Sequence, residues 1–83
     1  MENTKIHVLI MHDYTGDGGV EAYIDKDRML KDIEEDIRYV CKILTECGYE
    51  WKRLDHYDGK EIEIYVPRTD IYYEWQYCEC RLR

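Results

Sequence analysis

The chain has 83 residues, which is enough for one small domain with a single modest hydrophobic core. Acidic residues outnumber basic ones by 19 to 12, and the net charge of -7 disfavours direct binding to DNA or RNA, whose phosphates would repel this surface. The sequence contains no Ser, which excludes serine-hydrolase chemistry, and its aromatic residues are 9 Tyr and 2 Trp.

The beginning of the chain lacks the features of a targeting or membrane-spanning segment. Its first apolar stretch is interrupted at His7 and ends at His12, and no stretch approaches the roughly 20 apolar residues that a membrane-spanning helix requires. We therefore expect a protein of the host cell cytoplasm that does not contact a membrane. In that reducing compartment the cysteines are expected to be free thiols. They are Cys41, Cys47, Cys78 and Cys80.

Two strands joined by a glycine-rich loop are predicted first. Apolar residues on both faces of Lys5–His12 indicate a central strand, and Val20–Ile24 alternates as a second strand. The loop Asp13–Gly19 contains three glycines, which permit the positive φ angles of a hairpin connection. We interpret this loop as a flexible connection, with a mobile contact loop as the alternative.

One amphipathic helix is predicted over Lys26–Cys47. Asp25 can cap its N-terminus, and Gly48 stands where a left-handed C-terminal cap belongs. Apolar residues recur in steps of three and four, which is typical of a helix with one buried stripe. The stripe contains Met29, Leu30, Ile33, Ile37, Val40, Cys41, Leu44 and Cys47, and the opposite face carries Asp32, Glu35, Asp36 and Lys42.

Three further strands are predicted at Tyr49–His56, Glu61–Val66 and Ile71–Arg81, with an Asp-Gly hairpin turn at Tyr57–Lys60. Alternation predicts an inward face and an outward face. The inward residues are Ile62, Ile64, Val66, Ile71, Tyr73, Trp75 and Tyr77, and the outward residues are Glu61, Glu63, Tyr65, Tyr72, Glu74, Gln76, Cys78 and Cys80. The predicted order is β-β-α-β-β-β. It describes one α+β domain over residues 1–83, with the helix packed on one face of an antiparallel sheet.

Carboxylates and aromatic rings are the candidate partner-binding groups. Negative charges spread over a compact domain can imitate a phosphate backbone and steer the domain toward a basic groove on another protein. Tyr and Trp exceed what one helix can cover, and they are residues that contribute strongly to interfaces. The candidates are Asp32, Glu34, Glu35, Asp36, Asp58, Glu61, Glu63, Tyr65, Tyr72 and Glu74. The alternative is an ordinary solvated acidic surface.

The cysteines suggest two further kinds of site, a zinc site and a nucleophilic cysteine-histidine pair. The sequence contains only some of the residues that each site would need. Cys78 and Cys80 point to the same side of a strand and could bind zinc with His56 or Cys47, but a structural zinc site usually has four ligands in paired motifs. Cys80 and His56 could form a nucleophilic pair, yet no motif supplies an orienting group or an oxyanion donor. We therefore expect no metal, no cofactor and no catalytic residue.

The Val20–Ile24 strand runs directly into the helix start Asp25–Leu30, and carboxylates are scattered over the chain. In these features the whole chain resembles the small acidic accessory proteins of phages and mobile elements, among them anti-CRISPR proteins. The resemblance implies a single α+β domain that blocks a nuclease or its nucleic-acid channel. We therefore expect a non-enzymatic inhibitor that binds the basic groove of a host defence protein such as a CRISPR-Cas effector.

Three alternatives to that function stay open. The chain could be an oligomer that sequesters a small ligand or nucleotide between subunits. It could be a small metal or thiol domain that uses Cys78 and Cys80. An open, aromatic sheet face also suits a homodimer.

Overall fold

The computed structural model describes residues 5–81, which form one sheet and one helix. Met1–Thr4, part of the stretch on which the targeting expectation rests, lie outside this range. The elements in chain order are β1 (Lys5–Asp13), β2 (Gly18–Tyr23), α1 (Lys26–Glu46), β3 (Lys52–His56), β4 (Glu61–Tyr65) and β5 (Tyr72–Arg81). The predicted β-β-α-β-β-β order and the α+β class are therefore confirmed.

The five strands form one antiparallel sheet in the order β2-β1-β5-β4-β3. The last strand of the chain lies in the centre, between β1 and β4. Its pairing with β1 runs without interruption from Lys5 opposite Arg81 to Asp13 opposite Tyr73. β2 and β3 are consequently the two edge strands.

Local side-chain and backbone chemistry sets both ends of α1. The Asp25 carboxylate accepts hydrogen bonds from the amides of Asp27 and Arg28, at 2.9 and 3.4 Å. At the other end Gly48 has a φ of 84°, and the Tyr49 amide donates to the Leu44 carbonyl oxygen at 2.9 Å. This backbone arrangement is a Schellman cap. Because the cap uses Tyr49, β3 begins later than the predicted strand start at that residue.

The hydrophobic core lies between the stripe of α1 and one face of the sheet. Trp75 of β5 occupies its middle, where it is 3% exposed and lies opposite Ile62 of β4. The buried apolar residues are Leu9, Met29, Ile33, Ile37, Cys41, Leu44, Ile62, Ile64, Val66 and Trp75. The predicted stripe is confirmed except at its end, because Cys47 follows the last helical residue and is exposed.

The second sheet face has no helix over it among the described residues and is named the open face here. Its residues follow from the strand register and the alternation of side chains. They are Ile6, Val8, Ile10, His12, Val20, Ala22, Lys52, Leu54, His56, Glu61, Glu63, Tyr65, Tyr72, Glu74, Gln76, Cys78 and Cys80. The predicted assignment of Tyr65 and Tyr72 to this face, with Tyr73 and Trp75 toward the helix, is confirmed.

The hairpin between β3 and β4 has an unusual connection. His56 and Glu61 are the last paired residues, so four residues separate the strands. Tyr57, Asp58 and Gly59 all have positive φ angles, of 51°, 56° and 85°. The predicted Asp-Gly turn is therefore present, with two non-glycine residues in the left-handed region.

Among residues 5–81, no helix has the length and apolar character needed to cross a membrane.

Candidate functional site

Half of the predicted partner-binding residues come together on β4 and β5. We name this surface the acidic-aromatic face and define it by Glu61, Glu63, Tyr65, Tyr72 and Glu74. In the strand register Glu63 lies directly opposite Glu74, and Tyr65 lies directly opposite Tyr72. All five side chains project to the open face, so the folded sheet joins two sequence segments into one surface.

The acidic-aromatic face borders a shallow groove of about 570 Å³. Glu63, Tyr65 and Tyr72 line it together with residues from the β4–β5 connection and neighbouring strands. The other lining residues are Tyr14, Leu54, Thr69, Asp70 and Ile71. The groove therefore combines aromatic rings with carboxylates, and none of its lining residues in the described chain is Lys or Arg.

Among the described residues, Glu74 is the one glutamate of this face with side-chain hydrogen bonds. Glu74 lies 2.9 Å from His12 Nε2 and accepts a hydrogen bond from the Gln76 side-chain amide at 3.0 Å. The His12 ring also packs edge-on against Tyr72, with ring centres 5.9 Å apart. Within the described part of the chain, Glu61 and Glu63 form no salt bridge. Like charges directly opposite in a sheet are destabilising, so the Glu63–Glu74 pair costs stability.

The predicted carboxylates of α1 do not join this face, because they lie in the helix layer on the other side of the sheet. Asp32 accepts a hydrogen bond from the Tyr23 hydroxyl at 2.9 Å, and Asp36 accepts one from Trp75 Nε1 at 3.1 Å. The predicted placement of Asp32 and Asp36 opposite the buried stripe is therefore wrong. Both carboxylates flank the stripe and accept hydrogen bonds from aromatic side chains of the sheet.

Glu34 also contributes to the fold, through an arginine on the edge strand β3. Arg53 donates to Glu34 at 3.0 Å and to Asp55 at 2.8 Å. These hydrogen bonds raise the pKa of Arg53 above its ordinary value. The hydrogen bond to Asp55 has the larger effect and the one to Glu34 the smaller. Of the other two candidates, Glu35 is exposed on α1, and Asp58 is exposed in the β3–β4 turn.

A second groove, of about 450 Å³, lies where the end of the β1–β2 hairpin meets α1. It has five carboxylates and three aromatic rings among its lining residues, namely Asp13, Asp17, Glu21, Asp36, Glu74, Tyr39, Tyr73 and Trp75. The sequence prediction missed this groove. Its only local sequence signal is the pair of aspartates in the glycine-rich loop, and the aromatic residues come from distant elements.

Asp13 holds that loop in place, and its hydrogen bonds yield a pH prediction. The Thr15 hydroxyl and the backbone amides of Thr15 and Asp17 lower the pKa of the Asp13 carboxyl, against the opposing effect of burial. A lowered pKa in the folded state contributes stability above the unfolded-state value, and that contribution is lost as the pH falls through the folded-state value. Thr15→Val should therefore raise the Asp13 pKa and lower stability at neutral pH, with a smaller difference in acid.

Carboxyl titration by NMR measures this effect directly. Thr15→Ser is the matched control, because it keeps the hydroxyl and should leave the Asp13 pKa low. An unchanged Asp13 pKa in Thr15→Val would show that the hydroxyl does not hold the loop.

The cysteines are not arranged as the zinc or nucleophile hypotheses require. Cys78 and Cys80 are exposed neighbours on the open face, and burial together with the nearby Cys80 raises the pKa of the Cys78 thiol. His56 lies on β3, two strands away from the β5 strand that carries Cys78 and Cys80. In the strand register it lies opposite Glu61 of β4, which lies opposite Gln76 of β5 and not opposite Cys80. Within residues 5–81, no group of three or more potential ligands could hold a metal ion.

Comparisons of the chain with protein-family models, with curated proteins and with solved structures found no match, so the function must be argued from the geometry of these surfaces.

Proposed function

We propose that the chain is a non-enzymatic protein-binding inhibitor, of the anti-CRISPR kind, whose acidic-aromatic face occupies a basic nucleic-acid-binding groove on another protein. The observation that supports this proposal most is the arrangement of the half-buried Glu61, Glu63 and Glu74 on a sheet face that no described helix covers. Three carboxylates lie on adjacent strands, and of these only Glu74 has a side-chain hydrogen-bonding partner in the described chain, His12 with Gln76.

The local energetics favour a partner that brings positive charge. Opposed like charges cost about 0.2–1 kcal/mol in a sheet, and an arginine or lysine placed between Glu63 and Glu74 would remove that cost. The attraction between that cation and the two glutamates is less screened by salt once the partner excludes water from the face. A basic groove therefore gains more from this surface than from isolated surface carboxylates.

The aromatic residues supply the apolar part of the same interaction. Tyr65 and Tyr72 lie opposite each other beside the carboxylates and are only partly buried. Tyrosine contributes contact area at a low cost in conformational entropy and is common among residues that contribute most to binding. The ring of Tyr72 is further held by its contact with His12.

The net charge of the whole domain adds a long-range component. At -7, the chain is attracted to basic surfaces before contact, and this attraction raises association rates at low ionic strength. The same charge repels DNA and RNA, so the domain would compete with a nucleic acid for its binding groove rather than bind the nucleic acid.

A competition experiment tests the proposal. The tagged chain is used to capture proteins from a lysate of the cell that produces it, and each captured protein is assayed for binding to a fluorescent DNA duplex and an RNA hairpin. We expect a basic protein that releases its nucleic acid when the chain is added, with weaker binding to the chain at higher salt. A captured partner that keeps its nucleic acid in the presence of saturating chain would contradict inhibition.

A further inference from the structure

The outer edge of the sheet at β2 is unprotected. β2 is the first strand in the sheet order, and no described element lies beyond it. Native edge strands usually carry Lys, Pro or a bulge that prevents pairing with another strand. Gly18–Tyr23 contains no Lys or Pro, and its one charged residue, Glu21, is held by a 2.7 Å hydrogen bond from the Tyr23 hydroxyl.

Along β2 the backbone amides and carbonyls point alternately toward β1 and away from it. The geometry of the β1–β2 hairpin determines which residues point each way. Asp13 donates its amide to the Asp17 carbonyl oxygen at 2.9 Å, one step beyond the pairing of His12 with Gly18. Hydrogen-bonded and non-hydrogen-bonded pairs alternate in an antiparallel ladder. Glu21 and Tyr23 therefore bond to β1, whereas Val20 and Ala22 direct their amides and carbonyls outward.

Exposed apolar side chains accompany these outward backbone groups. Val20 is 69% exposed, and Ile24, which follows β2 directly, is 79% exposed. Val20 lies on the same side of the strand as Ala22 and directly opposite Ile10 of β1, which is 38% exposed. The edge thus offers hydrogen-bonding groups and a short apolar strip together.

We propose that β2 pairs antiparallel with β2 of a second copy of the chain, so that two domains share one ten-stranded sheet. One register makes the edge complementary to itself. With Ala22 opposite Ala22 of the second copy, Val20 lies opposite Ile24 and Glu21 lies opposite Tyr23. In a shifted register, Ala22 of each copy would lie opposite Val20 of the other copy. The two Glu21 residues would then lie directly opposite each other, and like charges in that position are destabilising.

The acidic-aromatic faces of two copies paired at this edge would lie far apart. β2 is three strands away from β4, so the acidic-aromatic faces of the two copies would lie roughly 30 Å apart in the joined sheet, given about 4.8 Å between strands. This distance exceeds the Debye length of about 8 Å at physiological ionic strength. Two domains can therefore pair through β2 without bringing Glu61, Glu63 and Glu74 of one copy close to those of the other.

Sedimentation equilibrium of the complete chain tests the dimer. We expect a monomer–dimer equilibrium in which Val20→Lys weakens dimerisation by about a hundredfold, because two-fold symmetry removes the Val20–Ile24 contact twice. Leu54→Lys is the matched control: Leu54 is 41% exposed on the opposite edge strand, and this variant should dimerise normally. A chain that stays monomeric at millimolar concentration, or a dimer that Val20→Lys leaves unchanged, would overturn the proposal.

Hydrogen exchange on the unmodified chain tests the register independently of any variant. The Val20 and Ala22 amides should exchange quickly in dilute solution and slowly at high concentration, whereas the Glu21 and Tyr23 amides should be protected at both. If only an added partner protein protects Val20 and Ala22, the edge binds a strand of that partner and the second-copy proposal fails.

Discussion

Replacement of Trp75 with alanine is expected to lower the free energy of unfolding by about 3–5 kcal/mol, the largest loss for a single substitution in this chain. The indole is 3% exposed in the centre of the core and its Nε1 donates to Asp36 on α1 at 3.1 Å. The substitution therefore leaves a cavity between the sheet and the helix and removes a hydrogen bond between them. A small domain has only about 5–15 kcal/mol of stability, so this loss is a large part of the total.

Urea unfolding followed by far-UV circular dichroism measures this loss. Trp51→Ala is the matched control, because Trp51 is 38% exposed and donates to Thr45 within an exposed pair. Its cost should be much smaller. Trp75→Phe should recover most of the packing but not the hydrogen bond to Asp36. Equal losses for Trp75→Ala and Trp51→Ala would contradict the placement of Trp75 at the centre of the core.

Charge reversal on the acidic-aromatic face is expected to have the largest effect on binding. In Glu61→Lys/Glu63→Lys, association with a basic partner should slow by about ten- to a hundredfold at low salt, with a smaller difference at high salt. The same variant should become more stable, because the Glu74 carboxylate would then face an ammonium group across the strands in place of a like charge.

The double variant Glu46→Lys/Glu50→Lys is the control, since it changes the net charge equally near the C-terminal end of α1. Stopped-flow association against the captured partner and thermal unfolding are measured on both variants. If both slow association equally, the net charge alone steers binding and the acidic-aromatic face has no special role. A fall in stability for Glu61→Lys/Glu63→Lys would contradict the strained Glu63–Glu74 pair.

Residue order alone was sufficient to predict the elements and the faces of the strands. The helix followed from apolar steps of three and four, and the inward and outward residues of β4 and β5 followed from strict alternation. These patterns depend on neighbours along the chain. The late start of β3 was not predicted, because the contribution of Tyr49 to the helix cap depends on how Gly48 turns the backbone.

The site was less predictable, because it depends on contacts between distant segments. The opposition of Glu63 and Glu74 results from the register that the β4–β5 connection imposes. The insertion of β5 beside β1 joins residues that are 60 or more positions apart. Helical angle alone places Asp32 and Asp36 on the face opposite the buried stripe. Long aromatic side chains reach the edges of a helix, so Tyr23 and Trp75 can hydrogen-bond to carboxylates beside the stripe.

The four-residue connection between His56 and Glu61 also determines the sheet face to which Arg53 of β3 points. β4 is held on both sides, whereas β3 pairs with β4 alone. A deletion of one residue from this connection would therefore be absorbed by β3, and a one-residue slip exchanges the two faces of a strand. Arg53 would leave Glu34 and emerge among the exposed carboxylates of the sheet. The length of one loop thus keeps Arg53 with Glu34 and decides which basic residue of β3, Lys52 or Arg53, shares the open face with the carboxylates.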